Sequence, residues 1–183
     1  MKEHKTDVIA GLGISLSVAF PALVYFGRDY LTPQVLAVVL LLLVWARRRT
    51  AFAGQAAHWF LAGGLVLAML GLVSNDSLPL KLYPVVFNAS LLTVFLLSLR
   101  YPPTIAERFA RVRFPNPPAP VVTYTRRVTQ AWCVFFAGNA LIALWTTVWC
   151  PEYVWFYYNG VIAYILAGGM FGGEWLVRRR MFG

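Results

Sequence analysis

Charge is scarce in this chain, and acidic charge is scarcest. Only 13% of its 183 residues are charged, and seven Asp and Glu stand against sixteen Lys and Arg. So few charges cannot coat a water-soluble globule of this length, and the apolar surface must therefore meet lipid. Histidine and cysteine are equally sparse, at two each. His4 and His58 have no carboxylate or cysteine at ligand spacing, so no metal site is expected. Cys133 and Cys150 lie on one expected helix, roughly 25 Å apart and far beyond the ~7 Å that a disulfide spans. Both are read as small buried hydrophobes. No G-x-S-x-G elbow, phosphate loop or pair of carboxylates occurs, so no catalytic residue and no cofactor is assigned.

Apolar sequence is what the chain has in abundance: 60% of residues are hydrophobic, and mean hydropathy is +0.65. Six stretches stand out, at about 8–26, 31–46, 57–73, 83–99, 128–149 and 155–177. Each is expected to be a helix, because backbone exposed to lipid must satisfy its own hydrogen bonds. The first follows Lys2 and Lys5 like a signal peptide, but it is too long and no A-x-A site follows it, so it reads as an uncleaved anchor. The expected fold is all-α and integral to the membrane, one polytopic domain of six transmembrane helices.

Orientation comes from basic residues, which gather on cytoplasmic flanks. With the N-terminus inside, every Lys and Arg except Arg28 and Lys81 falls on the cytoplasmic side. An odd number of spans would expel the terminal Arg178, Arg179 and Arg180, so the same asymmetry supports six spans with both termini in the cytoplasm. The net charge of +9 is explained in this way, by orientation and anionic headgroups, without nucleic acid. Aromatic residues mark the outer boundary: Tyr25, Phe26 and Tyr30, then Tyr83, then Trp149, Tyr153, Trp155, Tyr157 and Tyr158 around the short turn WCPEYVW, which predicts an antiparallel hairpin.

The cytoplasmic loop 100–127 has two parts. Thr104 with Glu107 three residues later is a capping-box pattern, and Ile105, Phe109 and Val112 then share one helical face. This predicts a short amphipathic helix lying at the headgroups. The prolines of PNPPAP predict an extended spacer after it. Arg108, Arg111, Arg113, Arg126 and Arg127 make the loop a basic face for lipid or a partner.

Polar groups inside the spans are few. Asn88, Asn139 and Asn159 sit in three different spans, either as interhelical glue or as the lining of a polar path, with Thr146, Thr147, Tyr157 and Tyr158 as candidates to join them. Glu174 is explained by Arg178 four residues on, and Asp7 by solvent. Gly168 with Gly172, and Gly169 with Gly173, form two G-x-x-x-G pairs. They are expected to pack within the chain, with Gly63 and Gly64 as the receiving face, or else to join two copies in a homodimer.

The segments YPPTIAERFAR, YTRRVTQAWCVFFAGN and YNGVIAYILAGGMFGGEWLVRRR, with Asn88, resemble a family of small inner-membrane proteins. That family is encoded in bacterial gene clusters for aryl polyenes and related fatty-acid-synthase-like pathways. The resemblance covers about 83–180. Trp132, Phe135, Phe136 and Asn139 also resemble part of intracellular septation protein A. The first resemblance implies a setting beside acyl carrier proteins and ketosynthases, and no reaction. It makes an acidic acyl carrier protein or a synthase subunit the expected partner of the basic loop. Three functions are then in view: an accessory protein anchoring lipid-like biosynthesis at the bacterial inner membrane, a small transporter or flippase for the product, and an acyl or glycosyl transferase. Too few cytoplasmic carboxylates, chiefly Glu107, Glu174 and Asp7, place the enzyme last.

Overall fold

The computed structural model describes residues 19–27, 30–47, 55–74 and 76–182, with side chains except at 43–61, 113 and 182. Lys2, His4, Lys5, Asp7, Arg28, Arg48 and Arg49 lie outside the described residues, as do the side chains of Arg47, His58 and Arg113. No strand occurs among the described residues.

Helix α1 covers 19–27 and turns through Gly27, whose carbonyl accepts from the backbone N–H of Tyr30 and Leu31, into α2 (Pro33–Arg47). Then come α3 (Gln55–Ser74), the single turn α4 (Leu78–Lys81) and α5 (Tyr83–Arg100). Helix α6 is Ile105–Arg113 and α7 is Ala119–Trp149. The last rod is α8 (Glu152–Tyr157), a π-helical turn (Tyr158–Ile162) and α9 (Ala163–Phe182). Among the described residues three stretches are long and apolar enough to cross a membrane: Leu78–Arg100, Ala119–Trp149 and Glu152–Met181. Two shorter apolar helical stretches accompany them, Pro33–Leu42 and Ala62–Ser74.

Helix α7 begins well before residue 128. The proline-rich segment is extended only through Pro118, the N-cap, and Pro120 sits inside the first helical turn. A proline there has no intrahelical N–H bond to lose, so the expected spacer shortens and the helix runs through Arg126 and Arg127.

Packing falls into two cores. At the end bearing the α7–α8 turn, Phe20, Leu36, Leu40, Leu80, Tyr83 and Trp155 bring together α1, α2, α4, α5 and α8. At the other end, Phe95, Ile105, Trp132 and Phe136 bring α5, α6 and α7 together. Tyr83 and Trp155 are therefore core residues, at 3% and 1% exposure, where boundary anchors were expected. Trp155 Nε1 donates to the carbonyl of Lys81 at 3.1 Å, which satisfies the buried indole within the protein. Trp149, Tyr153 and Tyr157 remain exposed.

Helices α7 and α8–α9 form the expected antiparallel hairpin. Its contacts run from Thr146–Asn159 near the turn through Trp132–Phe171 to Tyr124–Glu174 at the far end.

Candidate functional site

Helix α7 organises the interior. Its buried residues include Thr125, Thr129, Trp132, Phe136, Asn139, Ala143 and Thr146, spaced four and three in alternation, which keeps one stripe facing the neighbouring helices. Thr125 bonds back to the carbonyl of Val122 in its own helix, and the other polar members of the stripe reach neighbouring elements. The Thr129 hydroxyl accepts the backbone N–H of Ala106 at 3.4 Å, and Asn139 reaches α5. Thr146 accepts from Asn159.

The three asparagines meet around one space. Asn139 Nδ2 donates to Asn88 Oδ1 at 3.2 Å, and Asn139 Oδ1 accepts the Tyr158 hydroxyl at 2.6 Å. Asn88 Nδ2 donates back to the carbonyl of Pro84 at 2.8 Å. Asn159 Nδ2 donates to Thr146 Oγ1 at 3.2 Å and to the carbonyl of Trp155 at 2.9 Å. All three line a partly open cavity of about 110 Å³, walled otherwise by rings, Tyr83, Phe87, Phe135, Phe136 and Tyr164 among them. Tyr158 and Asn159 are neighbours in sequence, yet both reach α7. The π-helical turn they open permits this, because its wider winding rotates successive side chains less than an α-turn would.

The other polar candidates divide. Thr147 turns to the end of α4, donating to the carbonyl of Lys81, while Tyr157 points outward. Lys81 itself, at the end of α4, forms an ion pair with Glu152 at the start of α8, a pairing that no sequence spacing announces. Glu174 is paired with Arg178 at 3.3 Å, as expected from their i,i+4 spacing, and also takes the Tyr124 hydroxyl.

The basic face is built on a fastened helix. Both halves of the capping box form: Thr104 Oγ1 accepts from the backbone N–H of Glu107, and the Glu107 carboxylate accepts from the backbone N–H of Thr104. The Ile105 N–H donates to Ser98 of α5 at 3.2 Å. Thr104, Ile105 and Glu107 are consequently buried, whereas Phe109 and Val112 of the expected apolar face stay exposed at 63% and 86%. Arg108 Nε holds the carbonyl of Pro103, and Arg111 pairs with Glu107 at 2.7 Å. Arg126 reaches the carbonyl of Leu99, and Arg127 is exposed.

The glycines of α9 meet no described helix. Among the described residues a Cβ at Gly168, Gly169, Gly172 or Gly173 would meet nothing within 4 Å, and all four are exposed. Gly63 packs elsewhere: a Cβ there would lie 2.5 Å from Val86 Cγ1 of α5. The face of α9 that meets α7 carries Met170, Phe171 and Glu174 instead.

Sequence reading singled out the carboxamides and passed over Ser98, Thr125 and Thr129. Ser98 lies on α5, while Thr125 and Thr129 open the four-and-three stripe of α7, which is visible in the sequence but hidden by average hydropathy. Among the described residues no group of three His, Cys, Asp or Glu side chains is placed to hold a metal. Comparison of the chain with protein-family models, with curated proteins and with solved structures finds no match.

Proposed function

We propose that the chain is a multi-pass accessory protein of the bacterial inner membrane, with six spans and both termini cytoplasmic, that anchors lipid-like biosynthesis through the basic loop between α5 and α7. The observation carrying this reading is the attachment of α6. Its buried side is bonded to Ser98 and Thr129, so Arg108, Phe109, Arg111 and Val112 are presented from a fixed platform. Exposed rings and aliphatic groups beside arginines suit the headgroup layer, and the surplus positive charge suits anionic lipid and an acidic acyl carrier protein. The resemblance to proteins of aryl-polyene and fatty-acid-synthase-like clusters supplies the setting. The open glycines of α9 add a second copy as a further partner.

The test is co-purification of an acyl carrier protein or synthase subunit with the natural chain. Arg108→Glu with Arg127→Glu should abolish it while the helix content stays unchanged. Undiminished association of the double variant rejects the docking face.

A small transporter for an acyl or polyene product is the second reading, favoured by one observation, that Asn88, Asn139 and Asn159 share a cavity. The size of that cavity speaks for holding a small group rather than passing a chain. A transferase has no support from the carboxylates, since Glu107 and Glu174 are both committed to arginines.

A further inference from the structure

A carboxamide offers two N–H donors and one carbonyl acceptor, and the cavity leaves some of these unused. Asn159 spends both N–H groups on Thr146 and Trp155, and among the described residues nothing donates to its Oδ1. The residue is only 4% exposed, so that oxygen has little access to solvent except through the cavity it lines. Asn88 and Asn139 each use one N–H and keep one. The three asparagines thus present one free acceptor and two free donors, all uncharged, among aromatic rings. Buried polar groups without partners are costly, which favours an occupant that completes them.

We infer that this cavity binds an uncharged group that both donates and accepts a hydrogen bond, carried on a flat or slender apolar body: a carboxamide, a hydroxyl or an un-ionised carboxyl. The donor would go to Asn159 Oδ1, and the acceptor would face the spare N–H of Asn88 or Asn139. Among the described residues no Lys, Arg, Asp, Glu or His lines the space, so a charged head would be desolvated without compensation from them. The volume sets the size of the body. A closed cavity of roughly 150 Å³ accommodates benzene, and this one, of about 110 Å³ but partly open, suits one ring or a short chain end. The π-helical turn that aims Tyr158 and Asn159 together fits a built site, because such turns concentrate where helices carry function.

The test uses the full chain in lipid nanodiscs and fluorine NMR of 4-fluorobenzamide, with 4-fluorotoluene and 4-fluorobenzoate at pH 7.4 as controls. The amide should show saturable, protein-dependent binding, and the two controls should behave as they do with empty nanodiscs. Ala167→Leu fills the cavity while leaving every asparagine bond in place, and Asn159→Leu removes the free acceptor; each should weaken amide binding at least tenfold. Absence of saturable amide binding, equal binding of fluorotoluene, or unchanged affinity in a folded Ala167→Leu protein would overturn the inference. The probe series on the natural chain decides the matter even where a variant does not fold.

Discussion

Asn139 joins α7 to two other helices at once: its Nδ2 donates to Asn88 Oδ1 of α5 at 3.2 Å, and its Oδ1 accepts the Tyr158 hydroxyl at 2.6 Å. Bonds of this kind hold helices together where the surrounding medium is as apolar as the side chains and hydrophobic association is weak.

Asn139→Leu should therefore strip both partners and destabilise the fold by about 1–2 kcal/mol. Removing Asn88 as well should cost less than the sum of the single losses, with a coupling near 0.6–1.7 kcal/mol. Reversible unfolding in mixed micelles gives the cycle. Strictly additive losses would mean the bond does not form.

The glycines should respond in opposite ways. Gly63→Ala drives a methyl against Val86, whose β-branched side chain has little freedom to turn, and about 1–3 kcal/mol of stability should be lost. Val86→Ala should restore most of it. Gly168→Leu and Gly172→Leu meet open space, so the stability of the monomer should hold while any self-association falls. Loss of monomer stability in the α9 variants, followed by thermal unfolding beside cross-linking, would contradict the open face.

Thr104→Ala deletes the N-cap of α6 and should loosen that helix by about 1 kcal/mol. Proteolysis is the sensitive readout, because trypsin needs a locally unfolded segment. Cleavage after Arg108 and Arg111 in inside-out vesicles should accelerate, and an unchanged digestion pattern would argue that Ser98 and Thr129 hold α6 without the cap.

The proposed orientation places Cys150, half-buried at the α7–α8 turn, on the outer face and Cys133 inside the helix bundle. A membrane-impermeant maleimide should label Cys150 in intact spheroplasts and reach Cys133 only after denaturation. Labelling of Cys150 solely from the cytoplasmic side would invert the topology.

Much of the local structure was legible in the chain. The capping box of Thr104 and Glu107 and the pair of Glu174 with Arg178 follow from spacing of three and four, since such residues meet on one helix whatever surrounds it. The hairpin of α7 with α8–α9 followed from a turn too short for any other path. The helix starts erred where proline was read only as a breaker: Pro120 is harmless in the first turn.

What depends on neighbours was not legible. Composition and the period of apolar runs determined an all-helical chain suited to lipid, because backbone in lipid has no alternative partner and side-chain chemistry alone sets that requirement. Which face each helix turns inward was decided only by tertiary packing. Trp155 and Tyr83 could anchor an interface or fill a core, and the carbonyl of Lys81 and the ring of Phe20 drew them into the core. The α9 glycines could have closed against α3, but Val86 already fills the space beside Gly63. Three asparagines far apart in sequence became one cavity because α5, α7 and the π-helical turn bring them side by side, a coincidence of register that no single helix encodes.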